Sequence, residues 1–279
     1  MKANVIQLKD YYPSVQGGSL NCIAMDNPWG VAGHENWRRP AVIIAPGGGY
    51  THVSKREGEP VAMEFLAKGF QAFILTYVCS PEARYPEQLI EIASAVDYVR
   101  KHADEYSVNP SEVFVVGFSA GGHLTANLAV GYEGVSELAG VELDCKPTAV
   151  GLSYAAISEK AGCKRVQDTL LIGYSEEEKE RFHNKIRCLD KAVTKRTPPS
   201  FIWATATDQV VFCQHSLLFA TALAKKGVPF ELHIYPEGKH GRSTGSLEVN
   251  DEMPGNSGRL SGWVENCIKF FRAYCEEKF

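Results

Sequence analysis

Short, continuous apolar runs alternate along this chain with longer stretches in which apolar residues recur every three or four positions. Ala41-Val42-Ile43-Ile44-Ala45, Phe70–Val78 and Val113-Phe114-Val115-Val116 are almost uninterrupted by polar residues. Such runs are expected for strands covered on both faces. Thr148–Tyr154, Phe201–Thr205 and Phe230–Tyr235 read as three further strands. Between them, Leu89, Ile92, Ala93, Val96 and Val99 fall on one stripe of a helix. Helices are also predicted over Glu59–Lys68, Ala120–Val130, Cys213–Lys226 and Gly262–Glu277. Strictly alternating elements of this kind predict an α/β fold: a mostly parallel central sheet with helices on both faces. The rhythm breaks between residues 158 and 196, where Glu176-Glu177-Glu178-Lys179-Glu180-Arg181 is densely charged. That stretch is expected to be a small helical cap insertion, with a solvated surface excursion as the alternative.

At 279 residues and 44% hydrophobic content, the chain is long enough for a sizeable core and reads as one domain. Its net charge of -4, without any Lys/Arg block, argues against nucleic acid and anionic membrane surfaces as partners. No stretch approaches the roughly 18 apolar residues of a membrane span. The first ten residues lack an apolar segment of the secretory type, so a cytoplasmic location is expected. The eight cysteines (Cys22, Cys79, Cys145, Cys163, Cys188, Cys213, Cys267 and Cys275) show neither C-x-x-C pairs nor zinc-finger spacing. Free thiols in a reducing compartment, with no metal, are the expectation.

The chemistry is concentrated in Gly117-Phe118-Ser119-Ala120-Gly121-Gly122, directly after an apolar strand. This is a G-x-S-x-G nucleophile elbow: strand, sharp turn with serine at its apex, helix. A serine hydroxyl needs a base, an orienting acid and an oxyanion hole. The chain order serine, acid, histidine is met by Asp208, after the strand at Phe201–Thr205, and His240, after the strand at Phe230–Tyr235. Both positions lie past carboxyl strand ends, where sites of open α/β sheets assemble. Asp190, Glu237 and Asp251 are the fallback acids. Of the remaining histidines, His34, His52, His102, His183, His215 and His233 are weaker candidates, and His123 is expected to support the site. Pro46-Gly47-Gly48-Gly49-Tyr50 follows an early strand, so the amides of Gly48 and Gly49, with that of Ala120, are the expected oxyanion donors. A phosphate loop is disfavoured because G-x-G-x-x-G and a P-loop lysine are missing. Arg56, Glu57 and Glu59 are expected in the helix after this loop, as a structural ion pair. Tyr50 and Tyr85 are candidate pocket residues.

Taken together, Pro46–Tyr50, Arg56-Glu57-Gly58-Glu59-Pro60-Val61-Ala62, Tyr85-Pro86, Gly117–Leu124, Thr197-Pro198-Pro199 and Pro236-Glu237-Gly238 leading to His240-Gly241 resemble the α/β-hydrolase esterases and lipases related to hormone-sensitive lipase. The similarity is nearest to the acetyl-xylan-esterase-like branch with PGGGY in its oxyanion loop, and it covers nearly the whole chain. The resemblance implies cofactor-free hydrolysis of short-chain esters, often acetyl groups on sugars or xylan fragments, by a triad of Ser119, Asp208 and His240. The chain departs from the family pattern at Ala155-Ala156, Ala204, Thr207, Val211-Phe212 and His215. No catalytic atom is lost there, but the rim around the acid changes, so substrate preference does not carry over. Three other readings stand beside this one: a serine exopeptidase of the same fold, an intracellular lipase and a non-catalytic small-molecule binder.

Overall fold

A computed structural model describes residues 1–26, 37–162, 165–251 and 260–276. Eight strands form one sheet: β1 (Lys2–Gln7), β2 (Ser19–Ala24), β3 (Arg39–Ala45), β4 (Gln71–Thr76), β5 (Val108–Phe118), β6 (Val150–Ser153), β7 (Ser200–Thr205) and β8 (Phe230–Tyr235). Their spatial order is β1-β2-β4-β3-β5-β6-β7-β8. β1 and β2 pair antiparallel, as do β2 and β4, and every pairing from β4 through β8 is parallel. The two amino-terminal strands were not foreseen. Lys2–Gln7 is mostly exposed, with only Ile6 buried, so its composition lacks the continuous apolar run of a central strand.

Successive side chains of a strand point to opposite faces, and both faces are buried here. Val42, Ile44, Phe114 and Val116 enter one core cluster, and Ile43, Val113 and Val115 enter the other. The first face is covered by α1 (Glu59–Ala67) and α9 (Trp263–Arg272), through Val61, Phe65, Trp263, Cys267 and Phe271. The second is covered by α2 (Glu87–Lys101), α3 (Ala120–Gly131) and α8 (Gln214–Lys226), through residues such as Ile92, Val96, Leu124, Leu128 and Phe219. A short α4 (Val135–Ala139) follows α3.

Between β6 and β7 the chain forms α5 (Arg165–Thr169), α6 (Glu176–Arg187) and α7 (Leu189–Ala192). The charged run that broke the strand rhythm is the first half of α6. Its start is set by a capping box: the Ser175 hydroxyl accepts from the Glu178 amide, and Glu178 accepts from the Ser175 amide. Among the described residues no helix is long and apolar enough to cross a membrane. The seven described cysteines are free thiols; Cys163 and His34 lie outside the described residues.

Candidate active site

Ser119 follows β5, Asp208 follows β7 and His240 follows β8, while Gly47–Gly49 follow β3. All four strands are parallel neighbours in one block, so these residues gather at the same carboxyl edge. Ser119 sits at φ 52°, ψ -112°, a costly backbone for a residue with a β-carbon. Its amide donates to Ser153 O at 3.0 Å, which ties the turn to β6. The flanking glycines are required by close approach. A Cβ on Gly117 would lie 2.2 Å from Thr125 Oγ1, and one on Gly121 would lie 2.0 Å from the Ala45 carbonyl oxygen. The helix start is thereby pressed against both β3 and β5, which leaves the serine as the apex.

Three side chains meet there. Ser119 Oγ donates to His240 Nε2 at 2.8 Å, and His240 Nδ1 donates to Asp208 Oδ2 at 2.7 Å. The other carboxylate oxygen of Asp208 accepts from the amides of Val210 (2.8 Å) and Val211 (3.0 Å). These bonds satisfy a carboxylate that is only 2% exposed. The loops carrying Asp208 and His240 are knitted together by Thr205 and Thr207. Both hydroxyls donate to the Gly238 carbonyl, and Thr207 Oγ1 accepts from the Gly238 amide. The substitution at Thr207 noted as a departure therefore keeps a polar link between the loops. Asp190, Glu237 and Asp251, the fallback acids, make no described contact with His240.

A cavity of about 340 Å³ opens over Ser119 and His240, walled by Gly48, Gly49, Arg56, Val166, Thr169 and Val210. Val166 and Thr169 come from α5, so the insertion between β6 and β7 contributes to this wall. Among the described residues no acceptor is paired with the amides of Gly48, Gly49 or Ala120, whereas the Gly47 amide donates to Glu57 Oε2 at 2.8 Å. A larger cavity of about 640 Å³ lies away from the serine and shares Ser54 and Arg56 with the first.

Several sequence expectations are corrected. Lys55–Glu57 forms a separate short turn before α1. Glu57 has no cationic partner among the described residues; besides Gly47 it accepts from the Tyr154 hydroxyl at 2.7 Å. Tyr154 in turn accepts from the Ser243 amide (3.0 Å) and stands edge-on to the His240 ring at 5.0 Å. Glu57 thus joins the glycine loop to a residue that packs on His240, a role invisible in linear sequence. Tyr50 is wholly buried, with its hydroxyl donating to His123 Nδ1 at 2.8 Å. Tyr85 is 3% exposed and packs on Phe182. Neither is among the residues lining the cavity, because each is spent on core packing.

His123 and His215 act on the scaffold. His123 Nε2 donates to the Ile186 carbonyl at 2.8 Å, which pins α6 to α3. His215 Nδ1 accepts from the amides of Ile157 and Ser158 at 3.0 and 3.1 Å, holding the chain as it leaves β6. Burial pushes both imidazoles down to about 4, so both are neutral in this role. Of the other histidines, His52 lines the cavity, His102 bonds the Tyr98 carbonyl, and His183 and His233 pair with Glu159 and Glu231.

Residues 32–223 match the BD-FAE family. The chain belongs to that family. It is an α/β-hydrolase related to acetyl xylan esterases. Over 235 residues, 82% of this chain, it is 33% identical to endo-1,4-beta-xylanase B of Butyrivibrio fibrisolvens, and it spans 35% of that protein. It is 27% identical over 248 residues to an acetylxylan esterase of Xylanibacter ruminicola, covering 83% of this chain and 46% of the relative. The chain thus spans a third to a half of these curated relatives. Among solved structures, an acetyl ester-xyloside bifunctional hydrolase from Caldicellulosiruptor lactoaceticus superposes with a TM-score of 0.77 at 29% identity, over 97% of this chain and 96% of that one.

Proposed function

We propose that this BD-FAE member is a serine carboxylesterase that removes short acyl groups, chiefly acetyl, from sugars or xylo-oligosaccharides. The observation that carries the reading is the unbroken hydrogen-bond line from Ser119 through His240 to Asp208 beneath a cavity walled by Gly48 and Gly49. In the proposed reaction Ser119 Oγ attacks the ester carbonyl as His240 Nε2 takes its proton. Asp208 holds the imidazole with its proton on Nδ1 and balances the imidazolium that forms. The oxyanion is received by the amides of Gly48, Gly49 and Ala120, each donor of this kind being worth roughly 10²–10³ in rate. His240 then protonates the leaving alcohol, and water cleaves the acyl-enzyme by the same steps in reverse. This chemistry requires no cofactor.

The preference for small acyl groups is supported by the cavity, whose 340 Å³ is near the lower end of ligand sites at roughly 300–1,000 Å³. The 640 Å³ cavity that shares Ser54 and Arg56 with it, lined also by Lys55, Glu59 and Glu248, offers room for a saccharide leaving group. The segment from 158 to 196 serves as the cap in this reading, since α5 walls the cavity. The test is hydrolysis of p-nitrophenyl esters from acetate to decanoate, with acetylated xylo-oligosaccharides in parallel and Ser119→Ala as control. Fast acetate turnover, lost by about 10⁴-fold or more in the variant, is expected. Turnover that survives the substitution, or is absent on every ester, overturns the assignment.

A further inference from the structure

Glu159, His183 and Cys188 are far from the serine in function, and none takes part in the proposed reaction. Their ligand-type atoms nevertheless converge: all lie within 4.8 Å of one another. His183 Nε2 is 2.9 Å from Glu159 Oε1, and Cys188 Sγ is 3.7 Å from the same oxygen. We propose that these three side chains form a binding site for a borderline divalent transition metal of the zinc type, which ties the start of the cap segment to α6 and to the turn after it.

Donor chemistry favours this class of metal. Imidazole, thiolate and carboxylate are the three side-chain ligands zinc takes, whereas magnesium and calcium select oxygen alone. Geometry is compatible. Zinc bonds of about 2.0–2.3 Å in a tetrahedron place neighbouring ligand atoms about 3.3–3.7 Å apart. The sulfur–oxygen separation already matches, the histidine–carboxylate contact must open by about half an ångström, and the histidine–sulfur pair, within 4.8 Å, must settle into the same range. His183 and Glu159 are 25% and 21% exposed, so solvent water is within reach as the fourth ligand.

Charge is balanced as well. Binding expels the Cys188 thiol proton to solvent, and one thiolate plus one carboxylate then neutralise the dication beside a neutral imidazole. Lys191, whose side chain hydrogen-bonds Cys188, is exposed, so metal binding exchanges that contact for one with solvent. The ligands are also held in advance. Ser158 and Cys188 form an isolated β-bridge, which sets Glu159 next to the cysteine. His215 fixes the Ser158 amide, and His123 fixes the end of α6 through Ile186. The ligands therefore come from the short turn at Glu159–Ala161, from α6 and from the junction between α6 and α7. The sequence contained no hint of this: the spacing Glu159…His183-x₄-Cys188 matches no zinc-finger pattern, and only the tertiary fold brings the glutamate to the other two.

The experiment is metal titration of the full chain after chelator treatment and dialysis. Zn²⁺ is titrated against a chromophoric chelator, and Co²⁺ is followed by its thiolate-to-metal charge-transfer absorption. One equivalent bound, a cobalt–thiolate band, and a melting temperature raised by roughly 5 °C at a hundredfold excess of Zn²⁺ over its Kd are expected. Cys188→Ser should abolish the band. His183→Gln, which keeps the fold's polar contact, should weaken binding at least tenfold, and Cys213→Ser should leave both unchanged. Absence of the band in the unmodified protein overturns the proposal, as does a band that persists undiminished in Cys188→Ser.

Discussion

Glu57 offers the sharpest test of how the glycine loop is held. Its two carboxylate oxygens take one buried donor each: the Gly47 amide at 2.8 Å and the Tyr154 hydroxyl at 2.7 Å. Glu57→Ala orphans both. A buried donor without an acceptor costs about 1–3 kcal/mol, so the loss is about 4 kcal/mol in total. Glu57→Gln has the same shape but one acceptor atom, so one donor keeps its partner and the loss is about 2 kcal/mol. At roughly 2–4 °C per kcal/mol for a chain of this size, Gln should lower the melting temperature by roughly 4–8 °C and Ala by about twice as much. Activity should follow, because Gly47 adjoins the proposed donors Gly48 and Gly49 and Tyr154 packs on His240. Losing a donor outright costs roughly 10²–10³ in kcat, so displacing the loop should cost about tenfold in Gln, with KM little changed. The assays are scanning calorimetry and p-nitrophenyl acetate kinetics. If Ala melted within about 1 °C of the unmodified enzyme, the bridging role would be refuted. If Gln were no better than Ala, the negative charge, and not the count of acceptors, would be what matters.

Four further outcomes are expected. Asp208→Asn should fold, since its remaining oxygen can still accept from Val210 and Val211, yet lose about 10⁴-fold in kcat because the amide favours the wrong imidazole tautomer. Gly121→Ala should destabilise by more than about 4 kcal/mol or prevent folding, because its Cβ would sit 2.0 Å from a backbone oxygen; soluble yield and urea midpoint read this out. Burial pushes the Glu91 carboxyl up to about 8 from its ordinary 4.5, so the folded state holds a proton that the unfolded chain releases. Stability should therefore fall as pH rises from about 4.5 to about 8, and Glu91→Gln should flatten that slope in urea titrations. His123 has the opposite sign: its ring stays neutral down to about 4 when folded and charges near 6.5 when unfolded. Its contribution is complete above about pH 6.5 and is lost as pH falls toward 4, a dependence that His123→Asn should reduce.

The sequence by itself determined the scaffold and the chain order of the proposed reacting groups. Uninterrupted apolar runs such as Val113–Val116 can be satisfied only by strands covered on both faces, and the intervening apolar stripes supply the covering helices. Such a sheet gathers the loops after its parallel strands at one edge, so the elbow motif, chain order and strand-end position together led to the expectation that Ser119, Asp208 and His240 meet. The glycines around Ser119 were legible too, because backbone approach within contact distance leaves no alternative residue. What only the tertiary structure decided were contacts between side chains far apart in the chain. Glu57 reads as one more charge in Arg56-Glu57-Gly58-Glu59, and nothing local says that Tyr154, 97 positions later, will donate to it. Tyr50 and Tyr85 could face a pocket or a core with equal propensity, and packing placed both in the core. β1 is a partly exposed edge strand whose pairing with β2 supplies the order that its own pattern lacks. The meeting of Glu159, His183 and Cys188 likewise depends on a bridge between Ser158 and Cys188, thirty residues apart. Periodicity and backbone sterics are local and can be read along a line; hydrogen-bond partners and ligand sets are fixed only by distances in space.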